Sequence, residues 1–398
     1  MKCNLNVHTG FSASRLEAIT EKIRADIDAG LIPGAVMLIA RADTVVYEKA
    51  LGLQVPQTAA PMALDSIFRI YSMTKPLVSV AIMTLVEEGR MLLSDPIDKY
   101  LPEFRRMKVG VEITGPDGVR SLHLTDARQP ITVQDLLRHT SGLTYGIFGE
   151  SLVKSEYLKA GVGTVKASSA EFIERIAGLP LAYQPGTTWE YSHSTDVLGV
   201  LLERICGAPL DAVLAERILE PLAMHETGFQ VRAEHAHRIA EPFAIDPVTR
   251  NAVKLLDPLR RPTFLSGGGG MMSTVYDYLR FARMLLNEGE LDGKRILSRA
   301  TLRYMTSDHL GQMPEARAGA SFLPGPGYGF GLGFGVRISP GGAFIPGSVG
   351  DYTWSGLAGT YFWIDPVEKM LAIFLMQAPE QRNHYRQLFR NLVYGALN

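Results

Sequence analysis

Phe68-Arg69-Ile70-Tyr71-Ser72-Met73-Thr74-Lys75-Pro76, running on into the apolar stretch Leu77 to Val86, is the segment around which the chain is organised. A serine hydroxyl and a lysine amine three residues apart at a helix start share one face, a single turn from each other. That pairs a nucleophile with a base. Leu77, Val78, Val80, Ala81, Ile82, Met83, Leu85 and Val86 are apolar nearly all the way round, which predicts a buried central helix ending near Gly89. An ordinary serine is a weak nucleophile and a protonated lysine cannot take its proton, so the chemistry asks for desolvation or a nearby cation to keep the amine neutral. The same spacing recurs at Ser151-Leu152-Val153-Lys154, in a mixed, loop-like region. Only Ser72 follows a strand-like segment, Ser66 to Ile70, and opens a long buried helix.

The 398 residues allow a large core and suggest two or three compact units. Forty basic residues against forty-one acidic leave a formal charge of −1. Nothing there attracts nucleic acid or an anionic membrane, which leaves a small-molecule substrate as the expected partner. Cys3 and Cys206 are too few for a disulfide scaffold or a thiolate metal cluster. His235-Ala236-His237 lacks carboxylate or thiolate partners at ligand spacing, and His225-Glu226 lacks a second histidine. No metal and no cofactor are expected. Met1 to Glu17 has no apolar signal region and no run reaches the ~20 apolar residues of a membrane span, so the expectation is a soluble cytoplasmic protein.

Leu16, Ile19, Ile23 and Ile27 predict a helix over Phe11 to Gly30, after which the period changes. Ala35 to Ala40 and Val45 to Glu48, joined through Arg41-Ala42-Asp43, read as two strands and a tight turn. From Arg90 to about Asp257 strand signals are scarce. Thr132 caps Val133 to Arg138, Ser168 and Glu171 form a capping box before Phe172 to Ala177, Ser194 caps Thr195 to Cys206, and Leu210 to Leu219 follows. The glycine run Gly267 to Gly270 lacks the lysine of a phosphate-binding loop and reads as close backbone packing before a helix, Val275 to Leu286, capped by Thr274. Ala358 to Trp363 and Met370 to Met376 predict a buried antiparallel hairpin, and Glu380 to Ala396 a closing helix. The fold class expected is α/β (α+β), an antiparallel sheet built from both chain ends and flanked by helices. Residues 1–89 and 258–398 would form that sheet domain and 90–257 an inserted, mainly helical domain, with the active site at their interface.

Two more groups complete a constellation: Tyr191-Ser192-His193, just ahead of a helix, and Trp354-Ser355-Gly356, ahead of the C-terminal hairpin. Ser72-Met73-Thr74-Lys75, Tyr191-Ser192-His193 and Trp354-Ser355-Gly356 resemble, in order, the three motifs of the serine β-lactamase and penicillin-binding superfamily. More narrowly they are similar to the class C-like family VIII carboxylesterases. Leu137 to Leu143, Gly267 to Thr274 and Gly359 to Pro366 extend the resemblance over most of the chain. Two departures stand out. Trp354 occupies the place where β-lactamases and transpeptidases usually carry a lysine or histidine, and His193 replaces an amide side chain.

The resemblance implies a serine hydrolase of short-chain carboxylic esters. Ser72 would form an acyl-enzyme, Lys75 and Tyr191 would share the proton network, and the backbone N–H groups of Ser72 and Leu357 would form the oxyanion hole. Trp354, Ser355, Gly356 and His193 would contact substrate. Tyr145, Phe148 and Tyr352 are candidates for an acyl pocket. Trp354 in place of a cation favours an uncharged ester over an anionic β-lactam, with weak β-lactam turnover as a side activity. A class C-like β-lactamase or D,D-peptidase, an acyltransferase to an alcohol, and a non-catalytic acyl-binding sensor are the alternatives. No Gly-x-Ser-x-Gly elbow is present, which argues against the α/β-hydrolase design.

Overall fold

A computed structural model describes residues 10–163, 166–311, 313, 316–317 and 322–398. Cys3 lies outside them. Its centre is one eight-stranded antiparallel sheet, in spatial order Tyr328–Phe330, Gly335–Arg337, Tyr352–Ser355, Tyr361–Asp365, Met370–Met376, Gly34–Arg41, Thr44–Val55 and Ala60–Pro61. The first and last long strands meet in the middle, with Ala35 opposite Met376 and Arg41 opposite Met370. The expected sheet from both chain ends is thus present. Every residue of Met370–Met376 is buried, which accounts for its unbroken apolar sequence: both faces of this strand are covered.

One face carries the helices Ala13–Asp28 and Arg382–Gly395, packed through Leu16, Ile19, Ile23, Phe389 and Val393 against Met37, Ile39, Trp363 and Phe374. The other face carries Thr74–Glu87 and Val275–Leu286 and merges into the main core, through Val36, Leu38, Ile373 and Leu375. All residues from Thr74 to Leu85 are buried, as the all-round apolar sequence predicts.

The capping boxes at Thr132/Asp135 and Ser168/Glu171 both form, as does the Thr274 cap. Ser194 does not cap. It lies inside the helix Ser194–Cys206, and its hydroxyl bonds Ser192 and Ser141 instead. The strand expected at Ala358 starts later, at Tyr361, because Gly359 turns the chain at φ 109°. Within 90–257 the sequence reading missed a hairpin, Lys108–Thr114 paired with Arg120–Asp126. Val111, Ile113 and Leu124 are exposed on it, so no inward apolar alternation marks it as a strand pair. Ser151 to Ala160, read as loop-like, is a helix from Leu152 with Ser151 as its cap.

Candidate active site

The turn that carries Ser72 is fixed from three sides. Phe68–Arg69 pairs with Met272–Ser273, the Ile70 N–H donates to the Met271 carbonyl at 3.0 Å, and Tyr278 Oη donates to the Met73 carbonyl at 3.0 Å. Tyr71 sits at φ 44°, in the left-handed region that side chains seldom adopt. Its hydroxyl accepts the Leu256 N–H at 3.0 Å, which helps hold a conformation costing about 1–3 kcal/mol. Tyr71–Met73 then forms one 3₁₀ turn before the α-helix begins at Thr74. Ser72 therefore precedes the helix, and it lines a cavity of about 720 Å³.

Lys75 is buried beneath that turn, 1 % exposed. Its Nζ lies 2.6 Å from the Gly268 carbonyl, 3.1 Å from Tyr145 Oη and 3.4 Å from Ser72 Oγ. Tyr191 meets the same nitrogen differently: Nζ stands 4.6 Å from its ring centroid, a contact with the π face. Among the described residues no hydrogen bond joins Tyr191 Oη to Lys75 or Ser72. The phenol bonded to the lysine is Tyr145, which the sequence reading had placed in the substrate pocket. Tyr191 is 5 % exposed and lines the cavity, so it does not turn out to bulk water. Burial first, then the Asp196 carboxylate and the Tyr191 phenol, push the Tyr145 hydroxyl well above its ordinary value. It keeps its proton at neutral pH.

Asp196 organises the floor. It accepts the Gly268 N–H at 2.8 Å and the Ser266 hydroxyl, while His193 Nδ1 lies 2.7 Å from its other oxygen. Burial alone would raise this carboxyl, but the hydrogen bond and charge of His193, with Lys75 behind them, hold it below the usual carboxylate range. A Cβ on Gly268 would stand 2.8 Å from Asp196 Oδ2 and 2.9 Å from Tyr145 Oη. That explains the glycine run: backbone must approach closely enough for its carbonyl to reach Lys75. Nothing in the sequence marked Asp196, which lies a turn beyond Tyr191 on a helix face.

Tyr145, Phe148, Tyr191, His193, Trp354, Ser355, Gly356 and Leu357 all line the cavity. Trp354 packs on Tyr191 at 5.5 Å between centroids and on Phe330 at 5.2 Å. Tyr352 does not line it; two residues earlier on the strand, its ring packs into the core against Phe334. The Leu357 N–H has no backbone acceptor among the described residues, which leaves it available to an oxyanion. The strand end touches the Ser72 turn so closely that a Cβ on Gly356 would fall 2.4 Å from the Ile70 carbonyl oxygen. The cation expected to be missing is present from elsewhere. Arg386, on the C-terminal helix, lines the cavity and donates to the Gly356 carbonyl at 2.6 Å, and burial with Arg382 beside it moves its guanidinium down to about 10. No group of three or more His, Cys, Asp or Glu able to hold a metal exists among the described residues. No helix there is long and apolar enough to cross a membrane.

The buried Lys75 contacts Ser72 and a phenol, Tyr145, where the motifs had implied Tyr191. The sequence profile described as Beta-lactamase matches residues 19–394. The chain belongs to the beta-lactamase family. Within it, Protein Rv1367c of Mycobacterium tuberculosis (strain ATCC 25618 / H37Rv) is 37 % identical over 369 residues, covering 91 % of this chain and 90 % of that protein. Esterase EstB of Burkholderia gladioli is 31 % identical over 375 residues, covering 89 % and 87 %. Among solved structures, EstCE1, described as a hydrolase with promiscuous acyltransferase activity, superposes with a TM-score of 0.79 at 27 % identity, covering 96 % of this chain and 98 % of that one. The beta-lactamase family fold, a large antiparallel sheet with flanking helices, is what the strand order above displays.

Proposed function

We propose that this chain is a serine carboxylesterase acting on short-chain esters. The observation that carries it is the contact of one buried amine with both Ser72 Oγ and Tyr145 Oη on the floor of a cavity. An unprotonated Lys75 has two N–H groups, which suit the Gly268 carbonyl and Tyr145 Oη, and a lone pair left for the Ser72 hydroxyl. Ser72 Oγ attacks the ester carbonyl as its proton passes to Lys75. The carbonyl oxygen takes the negative charge toward the N–H groups of Ser72 and Leu357. When the C–O bond of the ester breaks, the lysine proton moves through Tyr145 to the departing alkoxide, giving the alcohol and the Ser72 acyl-enzyme. Water then repeats the sequence and releases the acid. An alcohol in place of water would give transfer, the activity named for EstCE1 beside hydrolysis. In this reading residues 1–89 and 258–398 act as one unit and 90–257 as the other, with the cavity drawn from both.

The test is p-nitrophenyl ester turnover set against nitrocefin. The expected result is a burst of nitrophenol, fastest for acyl chains of about two to six carbons, consistent with a cavity of this class. Arg386 gives the β-lactam reading its own support, since it offers a cation to an anionic substrate. Faster turnover of nitrocefin than of any ester would decide for that reading.

The two phenols are separable by mutation. Tyr145→Phe removes the hydroxyl bonded to Lys75 and is expected to slow acylation by about 10²–10³-fold, within the usual range for a general acid–base group. Tyr191→Phe keeps the ring face over Lys75 and is expected to cost less. The reverse order in single-turnover kinetics would return the relay to Tyr191, which lines the cavity.

A further inference from the structure

The second Ser-x-x-Lys, Ser151 to Lys154, is built into the wall of the site. Ser151 Oγ accepts the Lys154 N–H at 3.0 Å and caps the helix Leu152–Ala160, so the serine is spent on structure. Lys154 points inward. Its side chain is 8 % exposed and Nζ stands 2.9 Å from Glu190 Oε1, itself 2 % exposed and adjacent to Tyr191 in sequence. The same ammonium donates to the Phe148 carbonyl. Glu190 Oε1 also accepts from Thr144 Oγ1 at 2.7 Å, and the Tyr145 N–H donates to the Tyr191 carbonyl at 3.3 Å. Between them Gly146 lies flat on this helix, where a Cβ would be 2.6 Å from Leu158 Cγ and 3.0 Å from the Lys154 carbonyl.

Both ends of the segment Thr144 to Phe148 are therefore tied to one buried ion pair. Tyr145 sits inside that segment, with its hydroxyl on Lys75. A buried charge pair that also bonds Thr144 and the Phe148 carbonyl resists rearrangement, because leaving either member unpaired in a dry interior is costly. That rigidity passes to the phenol.

We propose that Lys154 is a positioning residue: by clasping Glu190 and the Phe148 carbonyl it holds the Thr144 to Phe148 wall where Tyr145 Oη meets Lys75. The inference rests on the reading in which Tyr145 relays the proton. Lys154 takes no part in the relay itself; it bonds Glu190 and the Phe148 carbonyl and acts through Tyr145.

A double-mutant cycle tests it, with the acylation rate constant from the nitrophenol burst as the readout. Lys154→Met is expected to slow acylation by about tenfold or more, while the same change in a Tyr145→Phe background costs less than about twofold, since the group being positioned is already gone. An equal factor in both backgrounds, or wild-type acylation in Lys154→Met, overturns the proposal. Where Lys154→Met fails to fold, Thr144→Val takes its place: it removes only the hydroxyl bonded to Glu190 and is expected to slow acylation by about threefold in the wild type and not at all in Tyr145→Phe. Equal losses there overturn it equally. If Tyr145→Phe itself acylates at the wild-type rate, the relay reading falls and takes the clasp's role with it, which is a different result from additivity.

Discussion

Replacing Ser72 by alanine is expected to lower ester turnover by on the order of 10⁴-fold or more while leaving the folded protein as stable as before. The two halves of that expectation have separate causes. In the proposed mechanism the hydroxyl is the atom that bonds to the acyl group, and the neighbouring Lys75 Nζ is already engaged by the Gly268 carbonyl and Tyr145. Its structural worth is small, since among the described residues its one side-chain hydrogen bond is the 3.4 Å approach of that nitrogen, and the turn is held by backbone bonds at Ile70 and Met73. Burst kinetics and a thermal melt on the same preparation check both. Ester hydrolysis that survives Ser72→Ala undiminished removes the acyl-enzyme from the scheme.

The second large effect is on stability and lies behind the far edge of the cavity. Asp351, Arg337 and Arg390 are all wholly buried, with Asp351 Oδ2 held 2.6 Å from Arg337 Nε and also bonded to Arg390. Tyr328 Oη donates to Asp351 Oδ1 at 3.1 Å, and Tyr361 Oη accepts from Arg390 at 3.1 Å. One carboxylate thus serves two guanidiniums, and Arg337 Nη1 has no partner. Asp351→Asn takes away the only negative charge in the cluster and leaves two buried cations facing each other. The expected cost is about 3–5 kcal/mol, read as a lowered urea midpoint. A loss below about 1 kcal/mol would mean that water or relaxation reaches the cluster and that it is not a keystone of the sheet edge. Because Tyr328 and Tyr361 also line the cavity, activity should fall with stability in this variant.

The parts legible in the sequence were those specified by neighbours in the chain. The buried helix behind Ser72, the capping boxes at Thr132 and Ser168 and the all-apolar strand Met370–Met376 each announce themselves within about a dozen residues. The three motifs pointed to one cavity, and the side chains of Ser72, Tyr191 and Trp354 line it together. What the sequence could not supply was pairing across distance. Tyr145 and Tyr191 are equally good phenols on paper, and only the approach of Gly268 and Asp196 decides which hydroxyl meets Lys75. Arg386 reaches the Gly356 carbonyl from a helix thirty residues on, so a motif lacking its cation at Trp354 misrepresents the charge of the pocket. Tyr352 shares a strand face with Trp354, and only the packing of its ring against Phe334 keeps it out of the cavity.

The pairing of Gly34–Arg41 with Met370–Met376 has a temporal consequence. A ribosome releases the first of these strands long before the second exists, so its hydrogen-bonding edge on that side stays unmatched until Met370–Met376 emerges. A central pairing of such large sequence separation carries a high loop-closure cost, which slows folding. A premature stop before Met370 would leave not a shortened enzyme but a nascent chain with an exposed adhesive seam.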